Sequence, residues 1–133
     1  MVKYIILVSI FFSALACGQH ETTNKTGKPR VQFAETEFDF GNVIMGEKVS
    51  HRFTFKNIGG KDLLIDNVIS SCGCTVVSYD KKPIATGDES FIEVSFDSEG
   101  YRGLQMKQVE VYSNCDSSKN TLKLWAKMVE PKE

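Results

Sequence analysis

The sequence contains few of the residues from which most enzymes and metal centres are built. Its 133 residues include two histidines, one tryptophan and four cysteines, so a Ser-His-Asp arrangement has little to draw on and the four-ligand spacing of a zinc site is missing. The chain also has no large excess of positive or negative charge, since it contains 16 Lys and Arg and 17 Asp and Glu. A nucleic-acid-binding domain is therefore not expected, and we predict a protein that is not an enzyme.

The first sixteen residues resemble a secretory signal peptide. Lys3 gives a short positive start, and residues 4–16 are apolar apart from two serines. This apolar run of thirteen residues is shorter than the roughly 20 that cross a bilayer as a helix. Residues 1–16 are therefore predicted to be removed from the mature protein.

Cys17 follows this segment directly and is the predicted site of lipidation. The run Ala14-Leu15-Ala16-Cys17 resembles the bacterial lipobox, in which the cysteine is acylated and becomes the mature N-terminus. Ala14 departs from the leucine usual at the first lipobox position. The alternative is cleavage by ordinary signal peptidase, which would leave Cys17 near the N-terminus of a secreted protein with an exposed thiol.

The next segment has the composition of a flexible linker. Residues 18–30 contain no aliphatic or aromatic side chain and cannot bury a core. Fully extended, they reach at most about 45 Å. We thus expect residues 17–30 to hold a folded domain clear of a membrane, bound through the Cys17 lipid. The predicted location is extracytoplasmic, at the outer membrane or in the periplasm.

Apolar and polar residues alternate along most of the remaining chain. This period of two is typical of half-buried strands, and no window sustains the spacing of a helix. Turn residues divide the pattern into seven predicted strands, at 31–40, 48–57, 62–70, 75–79, 90–96, 104–113 and 121–129. Seven short antiparallel strands predict an all-β, immunoglobulin-like sandwich over residues 31–129, followed by a tail at 130–133.

Three cysteines remain for the domain once Cys17 is set aside, and they cannot all pair within one chain. In an up-and-down strand order, Cys72 and Cys74 lie at one end of the sandwich and Cys115 at the other. Disulfide-bonded residues need Cα atoms within about 7 Å, which favours pairing of Cys72 with Cys74. Gly73 is expected to allow the tight backbone of so small a ring. Two reduced thiols packed in a strand bend are the alternative.

A soft-metal site is a second interpretation of the same thiols. Cu(I) accepts two or three soft ligands, and the end of the sandwich that carries Cys72 and Cys74 also carries Met45 and the start of the strand with His51. A hydrogen-bonded histidine at the edge of the core is the alternative for His51. No cofactor is expected on the first interpretation, and copper on the second.

Several motifs in this order resemble the domain of unknown function 1573 family. They include Phe38-Asp39-Phe40-Gly41-Asn42-Val43, Phe53-Thr54-Phe55-Lys56-Asn57-Ile58-Gly59, Ser71-Cys72-Gly73-Cys74-Thr75 and Gly87-Asp88. The resemblance covers residues 33 to 129 and implies a bacterial extracytoplasmic protein, often a lipoprotein. It also implies kinship with the Hydin-type and major-sperm-protein immunoglobulin-like domains. Cys72 and Cys74 match the family motif, whereas Cys115 falls where no family cysteine is expected.

The family has no established reaction, and relatives of this architecture generally bind proteins or build assemblies. We therefore predict a membrane-tethered, extracytoplasmic immunoglobulin-like module that binds an envelope protein or surface ligand through a sheet edge or its loops. The alternative is thiol-based copper handling or redox sensing at the Cys-Gly-Cys motif.

Overall fold

The structure is a computed structural model that describes residues 27–132 and contains only strands as regular elements in that range. The strands are β1 (Val31–Phe33), β2 (Glu37–Ile44), β3 (Lys48–Asn57), β4 (Ile65–Ser70), β5 (Thr75–Tyr79), β6 (Glu89–Asp97), β7 (Gly103–Ser113) and β8 (Lys119–Val129). The all-β prediction is confirmed. Across 27–132, no helix long and apolar enough to span a membrane is found. The predicted signal peptide and Cys17 lie outside the described residues.

The strand count is eight rather than the predicted seven, because the first predicted strand is two strands in different sheets. The Ala34 amide still donates to the Thr54 carbonyl of β3, whereas the Thr36 carbonyl already accepts from Lys123 of β8. The chain therefore crosses between the two sheets around Glu35. Apolar alternation resumes after this crossover, and the prediction joined the two alternating stretches into one strand.

Two four-stranded sheets pack face to face in the orders β1-β3-β6-β5 and β2-β8-β7-β4. The predicted fully antiparallel pairing is wrong at one place, since β2 runs parallel to β8. This pairing follows from the crossover, which brings β2 alongside the last strand. The β4–β5 connection joins the edge strands of the two sheets at one end of the sandwich.

Alternating side chains from both sheets fill the interior. Phe53 of β3 and Ile92 of β6 are fully buried from one side, and Val109 and Leu122 face them from the other sheet. Burying one side chain of this size stabilises a fold by roughly 1.5–3 kcal/mol. A smaller group closes one end of the core, and we call it the Phe96 cluster: Val43, Phe96, Ala126 and Met128.

Candidate functional site

The most distinctive chemical feature is a disulfide in the connection between β4 and β5. Cys72 and Cys74 are bonded to each other, and both residues are half-buried. Cys115 is the free cysteine of the described residues. Ile65 pairs with Ser113, and Ser70 with Val109. The disulfide and Cys115 therefore lie beyond opposite ends of β4, as expected from the strand order.

Hydrogen bonds fix this connection independently of the sulfurs. The Ser70 hydroxyl lies 2.9 Å from the Cys72 carbonyl and 3.3 Å from the Thr75 carbonyl. The Ser71 amide donates to the Gln108 carbonyl over 2.9 Å, and the Gln108 amide donates to Ser71 Oγ over 3.1 Å. The bend is thus tied to β7 by the backbone and by two serine hydroxyls.

As a structural staple, the disulfide contributes little. In the chain-entropy account, a bond that closes a loop of three residues stabilises a fold by about 1.6 kcal/mol, against about 3 kcal/mol for a loop of about 15 residues. The backbone at position 73 also does not require glycine, although the sequence suggested that glycine allows the tight bend. Gly73 has no positive φ, and a Cβ added there would meet nothing within 4 Å.

A threonine hydroxyl lies against both sulfurs. Thr75 is 7% exposed, and its Oγ1 lies 3.6 Å from Cys72 Sγ and 3.8 Å from Cys74 Sγ. Its position is fixed from the opposite side, because Thr75 pairs with Phe96 in the β5–β6 ladder. A hydroxyl donates only weakly to a disulfide sulfur but strongly to a thiolate. Thr75 is therefore placed to stabilise a negative charge on either sulfur.

A buried lysine occupies the same end of the sandwich. Lys107 faces inward from β7 and is 8% exposed, with Nζ 4.1 Å from the Tyr101 ring centroid and 5.2 Å from that of Phe96. Desolvation lowers the pKa of Lys107 from its ordinary value. Cys74 packs against the Phe96 cluster as well. The lysine and the disulfide thus border one small apolar group.

Of the two other candidate copper ligands, the structure brings only Met45 to this end. Met45 packs against the Phe96 cluster, as Cys74 does. His51 lies three positions along β3 from Lys48, whose partner Asp97 bonds to Cys74, which is about 10 Å along the strand. Its Nε2 is 2.5 Å from Glu35 Oε1.

The predicted copper set is therefore not assembled around the thiols. Sulfurs joined in a disulfide are not thiolates, which are the form that binds metal. Within residues 27–132, no group of three or more His, Cys, Asp or Glu side chains is placed to hold a metal ion. Cu(I) binding would require prior reduction of the Cys72–Cys74 bond.

The other end of the sandwich carries a groove of about 360 Å³, which borders Cys115. Its lining residues are Pro29, Arg30, Val31, Cys115, Asp116, Ser117 and Asn120. Among the lining residues, Asn120 has a buried Nδ2 without a hydrogen-bond partner. Lys28 pairs with Asp116 across the groove margin at 2.9 Å.

The sequence did not single out Thr75 or Lys107. Thr75 could have been considered from the sequence, because it directly follows Cys74. Lys107 had a clearer signal, because it shares the inward parity of Val109 and Val111 in β7. A charged residue on the buried face of an alternating strand indicates a special environment.

These features define the class of protein as an immunoglobulin-like β-sandwich with a disulfide-closed bend. The family model described as "Protein of unknown function (DUF1573)" matches residues 31–128, and the chain belongs to this family. The search of curated proteins found no match.

Solved structures with the same fold come from bacteria and from human. A protein of unknown function from Porphyromonas gingivalis W83 is 19% identical with a TM-score of 0.64, over 80% of this chain and 49% of its own. The PapD-like domain 7 of human CEP192 is 12% identical with a TM-score of 0.65, over 79% and 89%. The Escherichia coli chaperone DraB is 12% identical with a TM-score of 0.56, over 79% and 58%. This chain therefore spans about half of the Porphyromonas protein, and the likeness is one of fold.

Proposed function

We propose that the protein is a non-enzymatic, membrane-tethered, extracytoplasmic binding module that accepts an extended segment of an envelope protein along the open edge of β5. The observation that carries this proposal is the difference between β5 and the other edge strands. An unprotected edge offers backbone donors and acceptors to an added strand.

Three of the four edge strands are protected. β1 has three residues and pairs with β3 only over 55–57, and the stretch of β3 that it leaves open carries the exposed charges of Lys48 and Arg52. β2 carries a register shift between Asp39 and Asn42, and the Asp39 carboxylate accepts from the Gly41 amide. β4 has a register shift between Ile65 and Asn67. Short strands and bulges of this kind are how proteins protect sheet edges.

β5 lacks these protections. Its sequence Thr-Val-Val-Ser-Tyr has no charge, proline or glycine, and its register with β6 is regular over all five residues. No described strand pairs with its other side. β-Branched and aromatic residues also favour extended structure. β5 is accordingly the edge best suited to receive a partner strand.

The hydrogen-bond alternation identifies which groups are free to pair. Asp97 N donates to Cys74 O, so position 74 is a hydrogen-bonded pair of the β5–β6 ladder. Hydrogen-bonded pairs alternate along antiparallel strands, so the amides of Val77 and Tyr79 point toward the open edge. The Ser78 amide points toward β6.

Attachment to the membrane is supported by the position of Cys17 after Ala14-Leu15-Ala16 and by the polar composition of residues 18–30. The mass of the mature protein tests this part of the proposal. A diacylglycerol adduct on Cys17 is expected, and replacement Cys17→Ser should release the protein from membranes. An unmodified Cys17 on a freely soluble protein would contradict the tether.

Strand addition is tested by selecting extended peptides from a displayed library with the mature protein and measuring amide hydrogen exchange with the selected peptide bound. We expect protection of Val77 and Tyr79 to rise, while Ser78 is protected in both states. A bound peptide that leaves Val77 and Tyr79 unprotected, or failure to select any peptide, would contradict the proposal.

A matched pair of variants separates an edge effect from a general effect of charge. Ser78→Lys places a cation on the outer face of the edge strand, and Ser95→Lys places one on the same face of β6, which is paired on both sides at this position. Ser78→Lys should weaken peptide binding about fivefold, which corresponds to about 1 kcal/mol. Ser95→Lys should leave the affinity unchanged.

A further inference from the structure

We propose that Cys72 and Cys74 form a redox-active disulfide that oxidises the dithiol of a partner, with Thr75 as the positioning residue that stabilises the thiolates formed. This activity goes beyond strand addition at β5 and requires no bound strand. The partner is identified by its chemistry, a pair of thiols able to form a disulfide.

The first support is that the disulfide adds little to the stability of the fold. It links residues only two positions apart, whereas Ser70 and Ser71 already hold the bend through hydrogen bonds to the backbone. A bond that closes so short a loop restrains the unfolded chain only weakly. The structure therefore gives no strong reason for the disulfide as a staple.

The second support is the separation of the thiols. Cys115 lies beyond the far end of β4 from Cys72 and Cys74, so it cannot capture either sulfur without unfolding. Reduction and oxidation of the pair therefore form a two-state couple. Both cysteines are half-buried rather than enclosed, so a partner can approach the bend.

The third support is a set of groups that favour a thiolate. Thr75 Oγ1 lies within 3.8 Å of both sulfurs, so one hydroxyl serves either cysteine after the bond breaks. Lys107 Nζ lies over the rings of Phe96 and Tyr101, at the cluster against which Cys74 packs. A hydroxyl donor stabilises the thiolate relative to the thiol, and a cation that borders the same apolar cluster acts in the same direction.

The packing also indicates the order of steps. Cys74 rests on the Phe96 cluster, so the partner thiolate attacks Cys72 Sγ, the bond between the cysteines breaks, and Cys74 leaves as a thiolate with the electron pair. The second thiolate of the partner then attacks the partner sulfur of this mixed disulfide, and Cys72 leaves as a thiolate. Two electrons pass to the protein, the partner becomes a disulfide, and its two released protons are taken up by Cys72 and Cys74 or by solvent.

The test equilibrates the whole mature protein with mixtures of reduced and oxidised dithiothreitol, followed by alkylation and intact-mass analysis. Cys115 is labelled throughout and serves as an internal reference. We expect two further labels, on Cys72 and Cys74, to appear together in the native protein as the dithiol fraction rises. If these two cysteines stay unlabelled under conditions that reduce them in the unfolded protein, the bond is structural and the proposal is overturned.

Variants of Thr75 test its assigned role. Thr75→Val removes the hydroxyl at nearly constant shape and should lower the equilibrium constant for reduction about tenfold, whereas Thr75→Ser should keep it within about twofold of the parent. Lys107→Met should also lower the equilibrium constant for reduction. Unfolding midpoints measured for each variant establish that the labelled protein is folded. Equal constants for Thr75→Val and Thr75→Ser would overturn the role of the hydroxyl.

Discussion

The imidazole of His51 stacks on the ring of Phe38 across the two sheets, with the ring centroids 3.6 Å apart and the planes 6° apart. Phe53 meets the same imidazole edge-on at 4.9 Å. Glu35 Oε1 lies 2.5 Å from Nε2, one of the two ring nitrogens that can bind a metal. His51 is therefore a packing residue between the sheets, with its polar edge turned to Glu35.

Replacing His51 should weaken the fold. His51→Ala removes the ring stacked between the two sheets and is expected to lower the free energy of unfolding by about 2 kcal/mol, from lost burial and aromatic contact. Glu35→Gln, at an exposed partner, should change it by less than about 0.5 kcal/mol. Urea unfolding measures both values. Equal losses for the two variants would mean that the contact with Glu35, rather than the stack, dominates.

Asn57 ties together the loops that follow β3. It is fully buried, and its Nδ2 donates to the carbonyls of Lys61 (2.8 Å) and Ile84 (2.9 Å), while its Oδ1 accepts from the Gly59 amide. Asn57→Ala should lower the free energy of unfolding by about 3 kcal/mol, since the buried side chain is lost, the Gly59 amide and Lys61 carbonyl lose this partner, and the Ile84 carbonyl keeps only its bond from the Leu63 amide. Asn67→Ala, on the exposed face of β4, is the control and should cost less than about 0.5 kcal/mol.

The glycines at positions 59 and 73 should respond oppositely to the same substitution. A Cβ on Gly59 would overlap the backbone of Lys28 and Arg30, whereas a Cβ on Gly73 meets open space. Gly59→Ala is expected to lower the free energy of unfolding by about 2 kcal/mol. Gly73→Ala should raise it by about 0.5 kcal/mol, because the unfolded chain loses freedom. Thermal unfolding of the two variants checks the contrast.

Burial of Lys107 should make stability rise at alkaline pH. Desolvation lowers its folded-state pKa below the ordinary value of 10.5, so between these two values the unfolded chain binds more protons. The free energy of unfolding therefore increases with pH across this window. Lys107→Met should abolish the increase and raise stability at neutral pH by about 1 kcal/mol. Lys127→Met, at an exposed position of β8, should preserve the pH dependence.

A hydrogen bond couples Glu110 to Tyr112 on the outer face of β7. Tyr112 donates to Glu110 Oε2 over 2.8 Å, and this bond is the largest cause of a lowered pKa at Glu110, ahead of Lys119. It also raises the pKa of Tyr112. Tyr112→Phe should raise the pKa of Glu110, followed by carboxyl NMR, and Glu110→Gln should lower that of Tyr112, followed by tyrosinate absorbance.

The sign of the Glu110 effect on folding also follows. A carboxyl with a lowered folded-state pKa stabilises the fold above its ordinary pKa, and that stabilisation is lost as the pH falls through the folded-state value. Tyr112→Phe should reduce the dependence of stability on pH in this acidic range. Unchanged acid unfolding curves in the variant would contradict the coupling.

Alternation predicted the all-β architecture well, because most strands bury one face. The split of the first predicted strand left one trace in the sequence. Val31 and Phe33 point inward on odd positions, whereas Phe38 and Phe40 do so on even positions, and a change of parity within one strand requires a break. The parallel pairing of β2 with β8 left no trace, since register between distant strands is decided by packing of the whole chain.

The candidate site was predictable only in part. The predicted strand order indicated the pairing of Cys72 with Cys74, because it places Cys115 at the other end of the sandwich, beyond the reach of a disulfide. Lys107 and Cys74 border the same Phe96 cluster only because of how β7 packs against β6, and no local sequence pattern encodes that packing. His51 was a candidate ligand because its strand begins at the end that carries the thiols. Its position along β3 places it beside Phe38 instead.

The parallel ladder between β2 and β8 has a mechanical consequence. Because these strands run in the same direction, the start of β2 and the end of β8 lie at opposite ends of their shared ladder. Tension between the two termini, once three-residue β1 has peeled away, would slide one strand along the other and load the bonds of the ladder simultaneously. Shear of this kind resists force far better than stepwise unzipping of one bond at a time.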